Sequence, residues 1–250
     1  MTLLEIRGLT KRFGHLTAVD NLILQVNAGE RRAVIGPNGA GKTTLFHIVS
    51  GRFKPDEGDI LFQGAQISGL SPYQIARLGI ARSFQITNIF PELSVLENIR
   101  LAIQARGTHA AAGPKHRTRI SETAARAGEL LDRLGLATFA HQPAGRLSYG
   151  DQRRVEIGLT LAMDPTLILL DEPTAGMSRG EAQEIVALLE AISRDVTIIL
   201  IEHDIDIVFK LSDRITVMAA GRVLADGSPS EIEQNDRVQE AYFGGLVQDK

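Results

Sequence analysis

The octapeptide Gly36-Pro37-Asn38-Gly39-Ala40-Gly41-Lys42-Thr43 carries residue types that can grip a chain of phosphates. Gly39 and Gly41 let the backbone turn tightly and aim its N–H groups inward, where phosphate oxygens can accept them. Lys42 brings a point charge within reach of β- and γ-phosphates, and Thr43 offers a hydroxyl to Mg²⁺. A helix starting here points its positive end at the same anion. The spacing is that of a P-loop, and the context that motif needs is present: strand-like Ala33-Val34-Ile35 before it and helix-like Thr43 to Ser50 after it. Gly36 to Thr43, together with Thr44, are the candidate nucleotide-binding residues.

A second group of chemical interest is acidic. Leu167-Ile168-Leu169-Leu170 reads as a buried strand and runs into Asp171-Glu172-Pro173. In a parallel sheet, ligands gather at the carboxyl ends of strands, so Asp171 is expected to face the phosphate loop. Its expected role is to hold Mg²⁺, directly or through water. Glu172, one residue on, points elsewhere and is the candidate general base for an attacking water. ATP and Mg²⁺ are the ligands this pair of motifs implies. Kinases, GTPases and motors all remain open at this point.

These residues need elements to position them. Leu4 to Arg7, Leu22 to Val26 and Gly58 to Phe62 read as strands bounded by Gly, Asn and Asp. From about Ser94 to Leu136 the pattern is helical, with an interruption at Gly107 to Pro114. Beyond it, strands and helices alternate. Glu181 to Ser193 puts Ile185, Leu188, Leu189 and Ile192 on one helical face; Val196 to Ile201 is a second buried strand, Ile205 to Leu211 a short helix and Arg214 to Met218 another strand. Such alternation predicts an α/β fold, a mostly parallel sheet with helices on both faces.

The bulk properties set limits. The chain of 250 residues suits one large domain, or one with an inserted subdomain. A formal net charge of -3 gives no electrostatic reason to expect a polyanion partner. The pairs Arg31-Arg32 and Arg153-Arg154 are expected on a solvated surface. With no cysteine, disulfides and thiolate metal sites are excluded. Met1 to Glu5 lacks a basic region followed by a long apolar stretch, so no signal peptide is expected. The longest apolar runs fall far short of the roughly 20 residues a membrane helix needs.

A third motif narrows the choice. Leu147-Ser148-Tyr149-Gly150-Asp151-Gln152-Arg153-Arg154 precedes the acidic strand and resembles the signature of the ATP-binding cassette (ABC) ATPases. The resemblance extends from about Leu4 to Gly244. It implies a single cassette over 1–250, with a P-loop NTPase core, an N-terminal antiparallel β subdomain and a helical subdomain inserted at about 86–165. It also implies that Ser148 and Gly150 act on the ATP of an opposite cassette. Gln85, in Arg82-Ser83-Phe84-Gln85, resembles the glutamine that senses Mg²⁺, and His203 the switch histidine that contacts the γ-phosphate. Phe13 sits where the family stacks an aromatic on adenine.

Two departures stand out. Tyr149 and Asp151 replace the commoner Gly and Gln of the signature, while Ser148 and Gly150 are kept. In the D-loop, Thr174-Ala175-Gly176-Met177-Ser178, Ser178 stands where the family usually has Asp, able to hydrogen bond but uncharged.

The signature, the Ala-Gly D-loop, Ile201-Glu202-His203-Asp204-Ile205-Asp206 and the closing Val238-Gln239-Glu240-Ala241-Tyr242-Phe243-Gly244 look like the ATPases of branched-chain amino acid importers. That resemblance implies an ATPase on the cytoplasmic face of the membrane that powers import of branched-chain amino acids or similar small polar solutes. Its partners would be permease subunits, a second cassette (a copy or a sister subunit) and, indirectly, a periplasmic binding protein, with no nucleic acid. The alternatives are a soluble ABC ATPase acting on nucleic acid or ribosomes, and a non-catalytic cassette of a heteromeric transporter.

Overall fold

A computed structural model of the chain describes residues 1–83, 89–106 and 116–240. The predicted interruption at Gly107 to Pro114 and the closing Ala241 to Gly244 lie outside these residues. In order, the elements are β1 (Thr2–Phe13), β2 (Leu16–Asn27), β3 (Arg31–Ile35), α1 (Lys42–Val49), β4 (Glu57–Phe62), β5 (Ala65–Gln66), α2 (Pro72–Arg77) and β6 (Ile80–Arg82). There follow α3 (Val95–Arg106), α4 (His116–Arg133), α5 (Tyr149–Ala162), β7 (Leu167–Asp171), α6 (Arg179–Ala191) and β8 (Thr197–Ile201). The chain continues with α7 (Ile205–Leu211), β9 (Arg214–Ala219), β10 (Arg222–Gly227), α8 (Pro229–Glu233) and α9 (Asp236–Val238). The strands and helices predicted from sequence are all found, though β1 runs well past its predicted end at Arg7 and β2 begins well before its predicted start at Leu22. The short β5, α2, β6, β10, α8 and α9 were not foreseen.

The chain divides into two compact units: Met1–Ile80 with Thr166–Pro173 and Ile192–Lys250, and Ala81–Pro165 with Thr174–Ala191. In the first, β2-β1-β4-β5 form an antiparallel sheet. Leu4, Ile6, Leu24, Val26, Ile60 and Phe62 are buried along it at alternate positions, as the pleat requires. They share one apolar cluster with Leu45, Phe46, Ile48 and Val49 of α1 and with Val34, Leu169 and Ile199.

The second sheet runs β10-β9-β3-β8-β7-β6. The β9–β3, β3–β8 and β8–β7 pairs are parallel and β10–β9 is antiparallel. Every residue of β3, β7 and β8 is buried. Strands covered on both faces lose the polar alternation that marks a half-exposed sheet, which is why they appear in sequence as short apolar runs.

In the second unit, Val95, Ile99 and Ile103 of α3 recur every four residues and face Leu130 and Leu131 of α4 and Val155 of α5 in one cluster. The buried Asn98 ties down the segment before α3. Its side chain accepts from Phe90 N at 2.7 Å and donates to the Phe90 and Ser94 carbonyls, both at 3.0 Å.

The arginine pairs correct the sequence reading. Arg31, Arg32 and Arg153 are buried, not solvated. Arg32 is 2% exposed; it donates to Glu30 at 2.6 Å, to Thr216 at 2.7 Å and to Asp226. Arg31 N donates to Asp213 at 2.8 Å and its guanidinium to the Ile192 carbonyl at 2.9 Å. Arg153 pairs with the buried Glu156 at 2.7 Å. Burial disfavours the Asp226 carboxylate, but hydrogen bonds from Thr216 and Arg214 and the charges of Arg32 and Arg214 outweigh it and hold its pKa below the ordinary value. That contribution to stability is present above the unfolded carboxyl value and is lost as pH falls through the lowered one.

Arg32→Ala leaves Glu30 and Asp226 without their shared cation. Urea unfolding is expected to show a loss of about 3–5 kcal/mol, the usual cost of removing one partner of a buried ion pair. A loss under 1 kcal/mol would mean the network is replaced by water.

Candidate functional site

β3, β8 and β7 lie side by side, parallel and in register: Val34 faces Ile201, and Ile201 faces Asp171. Their carboxyl ends are therefore level. From β3 the chain passes into the Gly36 loop, from β8 into Glu202-His203, and from β7 into Glu172. Candidate residues separated by up to 167 positions are brought to one sheet edge by strand pairing alone.

The loop has the backbone the octapeptide calls for. Gly39 and Gly41 have φ of 80° and 99°, in the left-handed region that glycine occupies without strain. A Cβ at Gly41 would collide with the Ala18 carbonyl oxygen. Pro37, Asn38 and Gly39 are exposed, and Ala40 is buried. Lys42 opens α1 and is only 7% exposed. Its ammonium donates to the carbonyls of Gly36 at 2.6 Å and Pro37 at 3.1 Å, so it spans the loop. Burial lowers the Lys42 pKa, while the charges of Glu172 and Asp171 oppose that shift.

Asp171 is fully buried at the end of β7. Glu172 has a φ of 49°, uncommon for a residue with a side chain. Its N–H donates to the Ile201 carbonyl at 2.9 Å, and its carboxylate lies 2.9 Å from His203 Nε2. His203 is held by the turn before α7, where Asp204 caps the helix by accepting from Asp206 N at 3.0 Å. The sheet edge thus joins a carboxylate and an imidazole beside a buried cation, and it can polarise a water while stabilising negative charge. Thr43 and Asp171 supply hard oxygen donors, few in number. That set suits Mg²⁺, which keeps several waters and takes phosphate oxygens as its remaining ligands.

Phe13 is exposed at the end of β1. Its ring meets Phe53 edge-on at 5.4 Å, and Phe53 meets His47 of α1 at 4.9 Å. Gln85 lies outside the described residues. Ser148 and Gly150 belong to the second unit, at the start of α5. Ser148 caps that helix: its hydroxyl accepts from Asp151 N at 3.1 Å and donates to the Asp151 carboxylate at 2.7 Å. Sequence reasoning missed Glu181. It accepts from Ser178 N at 2.9 Å and Ser178 Oγ at 2.7 Å, and it returns a longer bond from its own N at 3.4 Å. The signal was present, since Ser178-x-x-Glu181 is the capping-box pattern.

Comparison with known proteins agrees with this geometry. The profile of the family described as ABC transporter matches residues 19–175. A second, described as branched-chain amino acid ATP-binding cassette transporter, matches residues 222–246. The chain is 42% identical over 249 residues to the high-affinity branched-chain amino acid transport ATP-binding protein LivG of Escherichia coli K12, covering 97% of this chain and 98% of LivG. A solved ATP-binding cassette of an ABC transporter, in its ADP conformation, superposes with a TM-score of 0.84 at 31% identity, covering 98% of this chain and 99% of the other. A dimeric bacterial ABC transporter cassette superposes with a TM-score of 0.77 at 27% identity, covering 91% and 99%.

The state of Lys42 generates a pH prediction. A phosphate beside the ammonium favours the protonated form, and burial disfavours it in the free protein. With Lys42 as the phosphate's cation, nucleotide affinity is full below the lowered pKa and falls as pH rises through it, beginning below the ordinary 10.5. Losing one charge-assisted hydrogen bond of about 1.5–3 kcal/mol weakens binding roughly ten- to a hundredfold. Titration with a fluorescent ATP analogue from neutral to alkaline pH reads this directly. Lys42→Ala should bind weakly throughout and lose the alkaline limb; an unchanged limb in that variant would assign the titration to another group.

Proposed function

The chain belongs to the ABC transporter ATP-binding family, and from that premise we propose how its residues power transport and what it carries. Members of this family are ATPases that hydrolyse ATP for transport, working as dimeric cassettes with membrane permease partners. Among the described residues no helix is long and apolar enough to cross a membrane.

In our reading, the backbone of Gly36 to Gly41 cradles the phosphates of ATP, with Pro37, Asn38 and Ala40 shaping the loop. Lys42 leaves its loop carbonyls to reach the β- and γ-phosphates, and Thr44 adds a hydroxyl in the first turn of α1. Phe13 stacks on the adenine. Thr43, Asp171 and Gln85 would hold Mg²⁺, which would neutralise charge on the phosphates. Glu172 orients and deprotonates the attacking water, and His203 holds the γ-phosphate. Ser148 and Gly150 meet the nucleotide of the opposite cassette. The observation that carries this reading is the contact between His203 and Glu172 beside Lys42, all at one level sheet edge.

The cargo class rests on the relatives. Near-full-length similarity to LivG and the match at residues 222–246 support an importer of branched-chain amino acids. The cassette would sit on the cytoplasmic face of the membrane, paired with itself or a sister subunit, with a periplasmic binding protein delivering the substrate. A role on nucleic acid or ribosomes is not favoured by these relatives.

Glu172→Gln is the test. In the assembled transporter it is expected to cut ATP hydrolysis by about 10²–10⁴-fold, the usual share of a general base, while ATP affinity holds within a few-fold. Uptake of radiolabelled leucine should fall in parallel. Retained hydrolysis would remove Glu172 from the chemistry. Lost hydrolysis without any leucine uptake in the parent transporter would keep the ATPase reading and discard the cargo.

A further inference from the structure

The signature and the D-loop are joined in this chain by contacts that neither motif requires. Three lie along the seam between α5 and α6. Tyr149 OH donates to the Ala175 carbonyl at 3.3 Å. Its ring flanks Gly176, 3.8 Å from where a Cβ would stand. A Cβ on Gly150 would lie 3.3 Å from Cγ and Oε1 of Glu181, so that side chain packs directly on the signature glycine. The other carboxylate oxygen of Glu181 holds the N–H and hydroxyl of Ser178. One turn further along, Arg154 pairs with Glu184. The departures from the family pattern are thus linked to one another: the Tyr in place of Gly reaches the D-loop, and the Ser in place of Asp receives its carboxylate from Glu181.

The carboxylate sits at the start of both helices, where orphan N–H groups and the positive ends of two dipoles favour an anion. Hydrogen bonds from the Ser178 side chain and backbone and from the Gly150 N–H hold the Glu181 pKa below its ordinary value, against a smaller effect of burial. It therefore stays ionised at neutral pH. The division of the chain fits the same picture, because Thr174–Ala191 belongs to the unit that carries the signature, whereas Thr166–Pro173 belongs to the other.

We infer that Glu181 and Tyr149 are positioning residues that bind the signature and the D-loop into one piece, so that what the signature meets is passed along the chain to Glu172. This rests on the proposed role of Ser148 and Gly150 at the nucleotide of the opposite cassette. Neither residue touches the reacting atoms. Their effect is expected on the rate of hydrolysis in the assembled pair and not on nucleotide binding by one cassette, since the phosphate loop lies in the other unit.

The test uses the assembled transporter, with Tyr149→Phe, Glu181→Gln and the double variant. Gln still serves a capping box, so folding is retained, and unchanged melting of the isolated chain checks this. The double variant is expected to lose kcat about tenfold, with ATP affinity of the isolated chain within twofold. Each single variant should lose less, and Glu181→Asp should recover part of the rate that Glu181→Gln loses. Unchanged kcat in the double variant overturns the inference. So does a fall in kcat matched by a fall in ATP affinity or melting temperature, which would make the seam merely structural. Ser148→Arg, run alongside, separates the underlying reading: if it leaves hydrolysis intact, the role of the signature fails and the positioning role fails with it. If it abolishes hydrolysis while the double variant is normal, only the positioning role fails.

Discussion

The register of three parallel strands is the constraint on which the site depends. Val34, Ile201 and Asp171 stand opposite one another in β3, β8 and β7. A slip of one residue in any pair would exchange the side chains that pack on the two covered faces of the sheet. It would also move the phosphate loop, His203 or Glu172 by about 3.3 Å relative to the others. A hydrogen bond of 2.9 Å between His203 and Glu172 does not survive such a shift. The apolar burial that fixes the register and the chemistry at the strand ends are therefore one arrangement. Replacing core residues of these strands acts on the site through the same register.

Charge is managed differently at the two ends of β3. At its start, Arg31 and Arg32 are buried but richly paired, with Glu30, Thr216, Asp226 and Asp213 around them. Beyond its end, the buried Lys42 is held by two carbonyls, which carry no charge. In the first arrangement carboxylates match the cations, and removing one partner leaves an uncompensated charge. In the second, burial lowers the Lys42 pKa and the charges of Glu172 and Asp171 oppose it. The fold thus matches the cations at the start of β3 with carboxylates and holds the phosphate-loop ammonium directly by neutral carbonyls.

Much of this was legible in the chain. β3, β7 and β8 declare themselves as short apolar runs because both faces are covered, and α7 is bounded correctly at Ile205–Leu211 because Asp204 supplies a cap. The order of the strands was not legible, since nothing local says that β8 lies between β3 and β7. β10 was missed because its residues are half-buried and include Arg222 and Asp226, which break any apolar alternation. The arginine pairs were misread for a related reason. A charged residue looks solvated when its partners are distant in sequence, and Asp226 is 194 positions from Arg32. At the site, the P-loop and the Asp171-Glu172 pair could be read from residue types, whereas Glu181 was legible only as a cap for Ser178, because its packing on Gly150 depends on how α5 and α6 meet.

The backbone of Glu172 connects these observations. A residue with a side chain held at φ of 49° costs of order 1–3 kcal/mol and persists only where its surroundings determine it. On one side, five buried residues of β7 and the bond from its own N–H to Ile201 supply that determination. On the other side, only Pro173 separates Glu172 from Thr174, where the chain enters the unit that carries the signature. Proline fixes its own φ and disfavours the helical region for the residue before it, so the junction is stiff. The strained dihedral therefore belongs to the residue whose carboxylate meets His203, and the strand on one side and the proline on the other fix where that carboxylate points.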